Sequence, residues 1–273
     1  MVTQAEKGQV FWDLHERNEI FVIPNPWDAG SARLMQGLGF KALATTSAGF
    51  AQSLGRLDGQ VSLDEKIEHC RALCSATEIP VSADFENGFA DSPEDAAANL
   101  VKVAHAGVVG GSIEDYSGSD IYDFDLAVDR IATCAEVIAS LSFKFTLTAR
   151  AENLLRGVND LDDTIRRLQA FEAVGADVLY APGLRNLDQV KEVVSALSKP
   201  VNVLFAFMPD VTLDQYADVG VRRVSIGGAM ANYAIGGTIA VSKQMLDSGS
   251  FDWVKNAAPG AEIQKLLTPT SDQ

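Results

Sequence analysis

The chain is short of cysteine, histidine and positive charge, and each shortage closes off a class of protein. Cys70, Cys74 and Cys134 are the three cysteines, too few and of the wrong parity for a disulfide framework. Lys and Arg number 22 against 37 Asp and Glu, a formal charge of −15. That deficit argues against nucleic acid and anionic membranes as partners, because both are bound through basic patches. It leaves an anionic substrate open, since a few arginines, backbone N–H groups or a bound cation can reverse the field inside one pocket. No apolar run approaches the roughly 18 residues of a membrane span. Residues 1–9 carry no apolar signal core, so the expected setting is cytoplasmic and reducing. No Pro/Ser-rich linker or low-complexity segment divides the chain. No Gly-x-Gly-x-x-Gly follows the first strand candidate, which counts against a dinucleotide fold. Cys70 and Cys74 lie one helical turn apart beside His69; a metal pair there is outweighed by the simpler reading of thiols packed on an amphipathic helix.

What the sequence does contain is a repeated alternation. Hydrophobic residues make up 47% of a chain of 273, a length that suits one α/β barrel or two small domains. Short apolar, β-branched runs occur at Ile20–Pro24, Ala42–Thr46, Pro80–Asp84, Val108–Glu114, Phe143–Ala149, Asp177–Ala181, Val201–Phe205 and Arg223–Ile226. Between them lie stretches with apolar spacing near 3.6, such as Ser92–Ala106, Leu161–Val174 and Leu187–Leu197. Ser92-Pro93-Glu94 reads as an N-cap with proline and an acid in the first turn, and Ser62-x-x-Glu65 as a capping box. Gly107, Gly175 and Gly220 stand where helices should end in a left-handed residue. Eight strands with seven intervening helical segments predict a closed (β/α)8 barrel rather than an open sheet.

In such barrels the chemistry sits where strands end and the following loops begin. There the sequence places Asp84 and Glu86 after the third strand, Glu114 at the end of the fourth, and Arg150 at the end of the fifth. Strand alternation puts Asp84 and Glu86 on one side, with Glu114 beside them. Three crowded carboxylates repel one another unless a cation lies among them. Oxygen ligands completed by water suit Mg²⁺, or Mn²⁺ as the alternative, better than Zn²⁺. Asp58, in the loop after the second strand, is in reach to hold a metal water. Arg150 offers a bidentate fork for a carboxylate, or an ion pair with Glu114 or Glu152. Thr46, Ser47, Ala48 and Gly49 form a small-residue turn whose hydroxyls and N–H groups can cradle a carboxylate. The bland alternative for every one of these acids is a helix cap or a solvated side chain.

Taken in order, Asn25-Pro26-Trp27-Asp28-Ala29-Gly30, Thr45-Thr46-Ser47-Ala48-Gly49, Leu54-Gly55-Arg56-Leu57-Asp58-Gly59, Asp84-Phe85-Glu86-Asn87-Gly88, Ile113-Glu114-Asp115 and Thr148-Ala149-Arg150 resemble the isocitrate lyase/phosphoenolpyruvate mutase superfamily. Each motif is modest alone; six in register on successive strands are specific. The resemblance runs from about residue 18 to about residue 245, leaving a C-terminal helical tail over 246–273 of a single domain spanning 1–273. It implies a (β/α)8 barrel whose last helix is swapped between subunits of a dimer or tetramer. It implies Mg²⁺ and chemistry on a small 2-oxo acid. Asp58, Asp84, Glu86 and Glu114 match the acidic metal-site positions, with Asp84, Glu86 and Glu114 as ligands. Arg150 matches the carboxylate-binding arginine, Ser47 and its neighbours the loop holding the keto-acid end, and Trp27 an aromatic beside the substrate. Asn202 joins these as a substrate-contact candidate, and Arg150, Asp58 and Ser47 are the residues expected to take part in catalysis.

Two departures narrow the expectation. The family pattern after the third strand is Asp-Ala-Asp-x-Gly, whereas Glu86 here is one methylene longer. The lyases carry Lys-(Lys/Arg)-Cys-Gly-His in a mobile loop after the fourth strand. Residues 115–123 contain no Lys, Cys or His, and none of His15, His69 or His105 replaces them. The Lys/Asn/Ser loop of the mutase is missing as well. Tyr116, Ser117, Tyr180 and Asn202 stand as candidates for leaving-group contact or proton transfer. The expected activity is a Mg²⁺-dependent lyase, by C–C cleavage or decarboxylation of a 2-oxo or 2-hydroxy acid. The alternatives are phosphonopyruvate mutase or hydrolase chemistry, a Schiff-base aldolase, a phosphate-binding barrel using Ser225-Ile226-Gly227-Gly228, and a catalytically silent barrel with a binding role. For the aldolase, Lys41 and Lys144 fall at strand starts, the wrong end.

Overall fold

The computed structural model describes residues 2–268. All eight expected strand stretches form strands: β1 (Phe21–Ile23), β2 (Leu43–Ala44), β3 (Val81–Asp84), β4 (Gly110–Glu114), β5 (Thr146–Arg150), β6 (Val178–Tyr180), β7 (Val201–Leu204) and β8 (Arg223–Ser225). They make one sheet of parallel ladders in the order β1-β8-β7-β6-β5-β4-β3-β2. The seam between its ends is closed by the Ala44 N–H donating to the Pro24 carbonyl at 3.0 Å. Asn25 fastens the same seam from above. Its Nδ2 donates to the Thr45 carbonyl at 2.9 Å, and its Oδ1 accepts from the N–H groups of Ile226 and Gly227 at 2.9 and 2.8 Å. One side chain thus ties the ends of the first, second and eighth strands, and the result is a nearly closed (β/α)8 barrel.

The helices are α1 (Gln4–Glu16), α2 (Ala29–Gly37), α3 (Ser47–Ser53), α4 (Leu63–Ala76), α5 (Pro93–Ala104), α6 (Phe124–Ala139), α7 (Leu161–Ala173), α8 (Leu187–Ser195), α9 (Leu213–Asp218), α10 (Ala229–Ser248) and α11 (Gly260–Leu267). Their starts follow the signals in the sequence. Ser92 caps α5 by accepting from Asp95 N–H, with proline in its first turn, and Ser62 and Glu65 form a full capping box on α4. Gly107, Gly175 and Gly220 take φ of +110°, +112° and +89°, the conformation glycine adopts without a Cβ penalty. On α5 the buried side chains Ala96, Ala97, Leu100, Val103 and Ala104 repeat at helical spacing and face the sheet.

His15 falls on a helix, α1, as the sequence suggests, although the apolar pattern of that helix is thin. Phe11 and Leu14 pack with Ile23, Ala42 and Val109 in a separate cluster below the main core. Lys7 Nζ donates to the Thr77 carbonyl at 2.6 Å, and Gln4 Nε2 to those of Ala104 and Val108 at 2.8 and 2.9 Å. These carbonyls precede strands, so α1 closes the N-terminal end of the barrel. Gly8 permits the approach: a Cβ there would lie 2.4 Å from the Lys144 carbonyl oxygen.

At the other end of the chain, α11 returns to pack on α2. The intervening α10 buries only Ala231 and leaves Tyr233 87% and Leu246 85% exposed, with Ile235 and Ile239 also exposed. No helix among the described residues is long and apolar enough to cross a membrane.

Candidate active site at the C-terminal mouth of the barrel

Strand register assembles the site. Glu114 pairs with Arg150, Arg150 with Tyr180, Tyr180 with Asn202 and Asn202 with Arg223, a continuous row across β4 to β8. Directly paired residues on parallel strands point the same way. Arg223 on β8 reaches Thr148 Oγ1 on β5 at 3.1 Å, which it can do only through the barrel interior. The row therefore lines the inside, running from the mouth down to α1.

The lower part of the row is a neutral cage around a cation. Arg223 Nε donates to Asn202 Oδ1 at 2.8 Å, and its Nη1 lies 3.1 Å from His15 Nε2. His15 Nδ1 faces the Phe11 carbonyl at 2.8 Å, and a carbonyl only accepts. So Nδ1 carries the hydrogen and Nε2 accepts from the guanidinium. Burial, with Arg223 alongside, drives the imidazole down to about 3, and burial without a facing carboxylate lowers Arg223 to about 10. Asn202 Nδ2 donates to Ser225 Oγ at 2.9 Å. Both ends of the Asn202 amide, a substrate-contact candidate from the sequence, are thus engaged within the barrel.

The upper part of the row is the mouth. Arg150 Nη1 stands 3.6 Å from Asp84 Oδ1 and 3.5 Å from Glu114 Oε2, while Nε bonds Glu152 Oε1. Its guanidinium also lies over the Tyr180 ring, 5.1 Å from the centroid. The surrounding carboxylates hold Arg150 well above its ordinary pKa in spite of its burial. Burial raises the Glu114 carboxyl to about 8, Arg150 opposing. Burial and then Asp84 raise the Glu86 carboxyl to about 7. Asp115 beside them is pushed up to about 6 by burial, against a hydrogen bond from the Glu152 N–H and an ion pair with Arg167 at 3.0 Å.

The second-strand loop closes one side. Asp84 Oδ2 accepts from the Ser47 N–H at 3.1 Å. Thr45 Oγ1 accepts from the Asp84 N–H at 2.9 Å and from Lys66 Nζ at 3.1 Å. Residues 46–49 are not the open turn that the sequence suggested. Thr46 caps α3 by accepting from the Gly49 N–H at 3.3 Å, so these residues form its first turn. Of the N–H groups at Ser47, Ala48 and Gly49, only that of Ala48 lacks an intramolecular partner among the described residues. Gly49 is packed: a Cβ there would meet the Cβ atoms of Ala231 and Trp27 at 3.1 and 3.2 Å. Trp27 lines a cavity with Phe50, Leu54, His69 and Leu73, and its carbonyl faces His69 Nε2 at 3.0 Å. Asp58 is exposed on the α3–α4 loop, within electrostatic reach of Glu86.

Glu86 does not share the side of Asp84 through strand alternation, as the sequence suggested. β3 ends at Asp84, and Glu86 sits in the following turn with φ +49°, so strand alternation no longer sets its direction. That turn is clamped from α6. Arg130, almost wholly buried, donates from Nη1 to the Ala90 carbonyl at 2.8 Å and from Nη2 to the Asn87 carbonyl, with its guanidinium 4.4 Å from the Tyr122 ring centroid. Among the described residues, no three Asp, Glu, His or Cys side chains converge into a ready-made metal cluster. Arg150 occupies the space between Asp84 and Glu114.

Sequence reasoning passed over Arg156, Lys66, Arg130 and Arg167. Each is a cation delivered by a helix or loop to an acid, hydroxyl or carbonyl distant in sequence. Only the four-residue spacings of Glu152–Arg156 and Asp163–Arg167 left a trace. The cysteine reading holds: burial raises the Cys70 and Cys74 thiols to about 11 and 12, and both are free. The N–H groups of Ile226 and Gly227 are spent on Asn25, which removes two of the donors a phosphate site after β8 would use. Lys144 lies over the Trp12 ring at 4.1 Å, at the lower end, as the strand position predicted.

A parallel barrel whose strand ends carry carboxylates around a buried guanidinium has the architecture of a barrel enzyme, with its site at the mouth. The sequence profile of the Phosphoenolpyruvate phosphomutase family matches residues 11–246, and the chain belongs to that family, within the isocitrate lyase/phosphoenolpyruvate mutase superfamily. It is an enzyme. A candidate lyase/mutase from Burkholderia cenocepacia J2315 is 46% identical, with 97% of each chain covered and a TM-score of 0.94. The probable 2-methylisocitrate lyase 2 of Corynebacterium glutamicum is 26% identical over 91% of this chain and 84% of that protein. The oxaloacetate decarboxylase of Ectopseudomonas mendocina is 27% identical over 78% and 75%.

Proposed function

We propose that the protein is a Mg²⁺-dependent lyase acting on a small 2-oxo or 2-hydroxy carboxylic acid, by C–C cleavage or decarboxylation. One observation carries this reading: carboxylates from β3 and β4 flank the guanidinium of Arg150 at 3.6 and 3.5 Å at the barrel mouth. The donor set fits the metal. Glu86 and Glu114 are oxygen donors whose carboxyls burial raises to about 7 and 8, and a divalent cation would supply the positive charge that favours their ionised form. Asp84, Glu86 and Glu114 would hold the ion, with Asp58 nearby for its water. The ion's chemistry is to neutralise negative charge that builds on the keto oxygen as the adjacent bond breaks.

The remaining work falls to the chain's own groups. Arg150, relieved of Asp84 and Glu114, presents Nη1 to the substrate carboxylate while Glu152 keeps its plane fixed. The first turn of α3 offers the Ala48 N–H and the Ser47 hydroxyl on the opposite side. Tyr180 floors the site with its ring. Support for the lyase class comes from the two relatives above, one a lyase and one a decarboxylase. The exposed apolar face of α10 favours a homo-oligomer, dimer or tetramer, in which that helix packs on a neighbouring subunit. Unpaired Cys70, Cys74 and Cys134 suit a cytoplasmic setting.

The test is substitution with a fold control. Asp84→Ala and Glu114→Ala should each abolish Mg²⁺-dependent release of product from a 2-oxo or 2-hydroxy acid panel, with the circular dichroism of the parent retained. Undiminished turnover in either variant rejects the metal assignment.

A further inference from the structure

We propose that Arg156 forms a second anion subsite at the mouth, which takes the carboxylate or phosphonate that the substrate carries beyond its α-carbon. The proposal rests on the 2-oxo acid reading above and deepens it.

The geometry begins with Glu152. This carboxylate is fully buried and bonds two guanidiniums at once, Arg150 Nε through Oε1 and Arg156 Nε through Oε2 at 2.9 Å. The two cations differ in everything else. Arg150 is enclosed, and its Nη1 faces Asp84 and Glu114. Arg156 keeps 35% of its side chain exposed, and its terminal nitrogens make no hydrogen bond among the described residues. Glu114 Oε1 lies 3.9 Å from Nη2. Glu114 therefore stands between the two guanidiniums, one oxygen towards each.

Arg156 is nonetheless not a loose surface side chain. Its guanidinium carbon lies 3.8 Å from the centroid of the Tyr116 ring, so the plane rests on an aromatic face. Tyr116 is itself held. Its hydroxyl donates to the Gly118 carbonyl at 2.8 Å, and its backbone pairs across a tight turn with Ile121. This is the short loop after β4 that lacks the Lys, Cys and His of the lyase pattern. In place of an acid/base, it supplies a platform for a cation. A guanidinium fixed at Nε and over its face, with both terminal nitrogens open, is preorganised for bidentate contact with an anion.

Its position sets the class of ligand. Arg150 serves the carboxylate next to the reacting carbon, and Arg156 lies beyond Glu114 on the solvent side. A monocarboxylate such as pyruvate fills only the first place. A substrate bearing a second anion fills both, and that group becomes the site's specificity handle.

Titration calorimetry in Mg²⁺ tests this with three probes. Oxalate occupies the first place alone; malate adds a planar second anion, and sulfopyruvate a tetrahedral one. In Arg156→Gln, oxalate should bind within about twofold of the parent. Malate, sulfopyruvate or both should weaken about 10- to 100-fold, the scale of a charge-assisted hydrogen-bonded pair. Which of the two weakens distinguishes a carboxylate subsite from a phosphonate-type one. Arg156→Lys, which keeps charge but not the fork, should recover part of the loss. The side chain is 35% exposed and the Gln amide can still donate to Glu152, so the variant should keep the circular dichroism of the parent. If all three probes lose affinity equally, or none does, the subsite is overturned and the 2-oxo acid reading stands. If the parent binds none of them, that reading itself fails.

Discussion

Asp84 and Arg150 meet at 3.6 Å across the barrel mouth, although β4 lies between the strands that carry them. Asp84 is placed by groups almost forty residues away, and Arg150 by a carboxylate two residues on. Asp84 is turned by the Thr45 hydroxyl and the Ser47 N–H, and Arg150 by the Glu152 carboxylate.

Arg150 balances Asp84, Glu114 and Glu152 together. Arg150→Met should cost about 3–5 kcal/mol, the scale of a buried charge left unpaired. Part of that loss should return on adding Mg²⁺, because the ion replaces the missing charge. Chemical denaturation with and without Mg²⁺ measures both effects; a variant as stable as the parent in metal-free buffer contradicts the arrangement.

Metal binding should also stabilise the parent by mass action. At a hundredfold excess over Kd the gain is about 2.7 kcal/mol. A Mg²⁺-dependent rise in melting temperature is expected in the parent and not in Asp84→Ala, and Ca²⁺-free EDTA should abolish it.

Acid should weaken the fold through His15 and His69, both held neutral at about 3 by burial. A lowered imidazole pKa means that the unfolded chain takes up a proton below about pH 6.5 and the native chain does not until about 3. Each imidazole therefore costs about 1.4 kcal/mol per pH unit as pH falls through that window. The buried carboxyls of Glu114, Glu86, Asp115 and Asp177, raised to about 8, 7, 6 and 6, pull the other way, so the histidine contribution has to be isolated. His15→Gln keeps an acceptor for Arg223, so subtracting its urea-unfolding curve from the parent's between pH 7 and 5 isolates one imidazole. A parallel pair of pH profiles contradicts the prediction.

Arg130 holds the turn that carries Glu86. Arg130→Met should raise amide exchange across residues 86–91 and weaken Mg²⁺ binding about tenfold or more, the range seen when groups behind a metal ligand are removed. Exchange rates confined to the parent's values would show that the turn holds itself.

Ile239→Asp on α10 should leave the protein monomeric, with the barrel's spectrum intact, where the parent forms the proposed homo-oligomer. Sedimentation at several concentrations is the readout, and an unchanged assembly rejects α10 as the contact.

Much of this protein is legible along the chain because its signals are local. The eight strands are buried apolar runs, and the helix starts at Ser62 and Ser92 and the glycine stops at 107, 175 and 220 depend on residues within one turn. Asp84, Glu114 and Arg150 are readable too, since the last inward-facing residues of barrel strands lie at the mouth. The tertiary structure alone decided what those charges do to one another. That Glu152 splits its two oxygens between Arg150 and Arg156, that Tyr116 lies beneath Arg156, that Arg130 grips the turn after β3 and that His15 closes a cage around Arg223 are all matters of distance. Electrostatic coupling falls with separation in space and with exposure to water, and a sequence records neither until the barrel has closed.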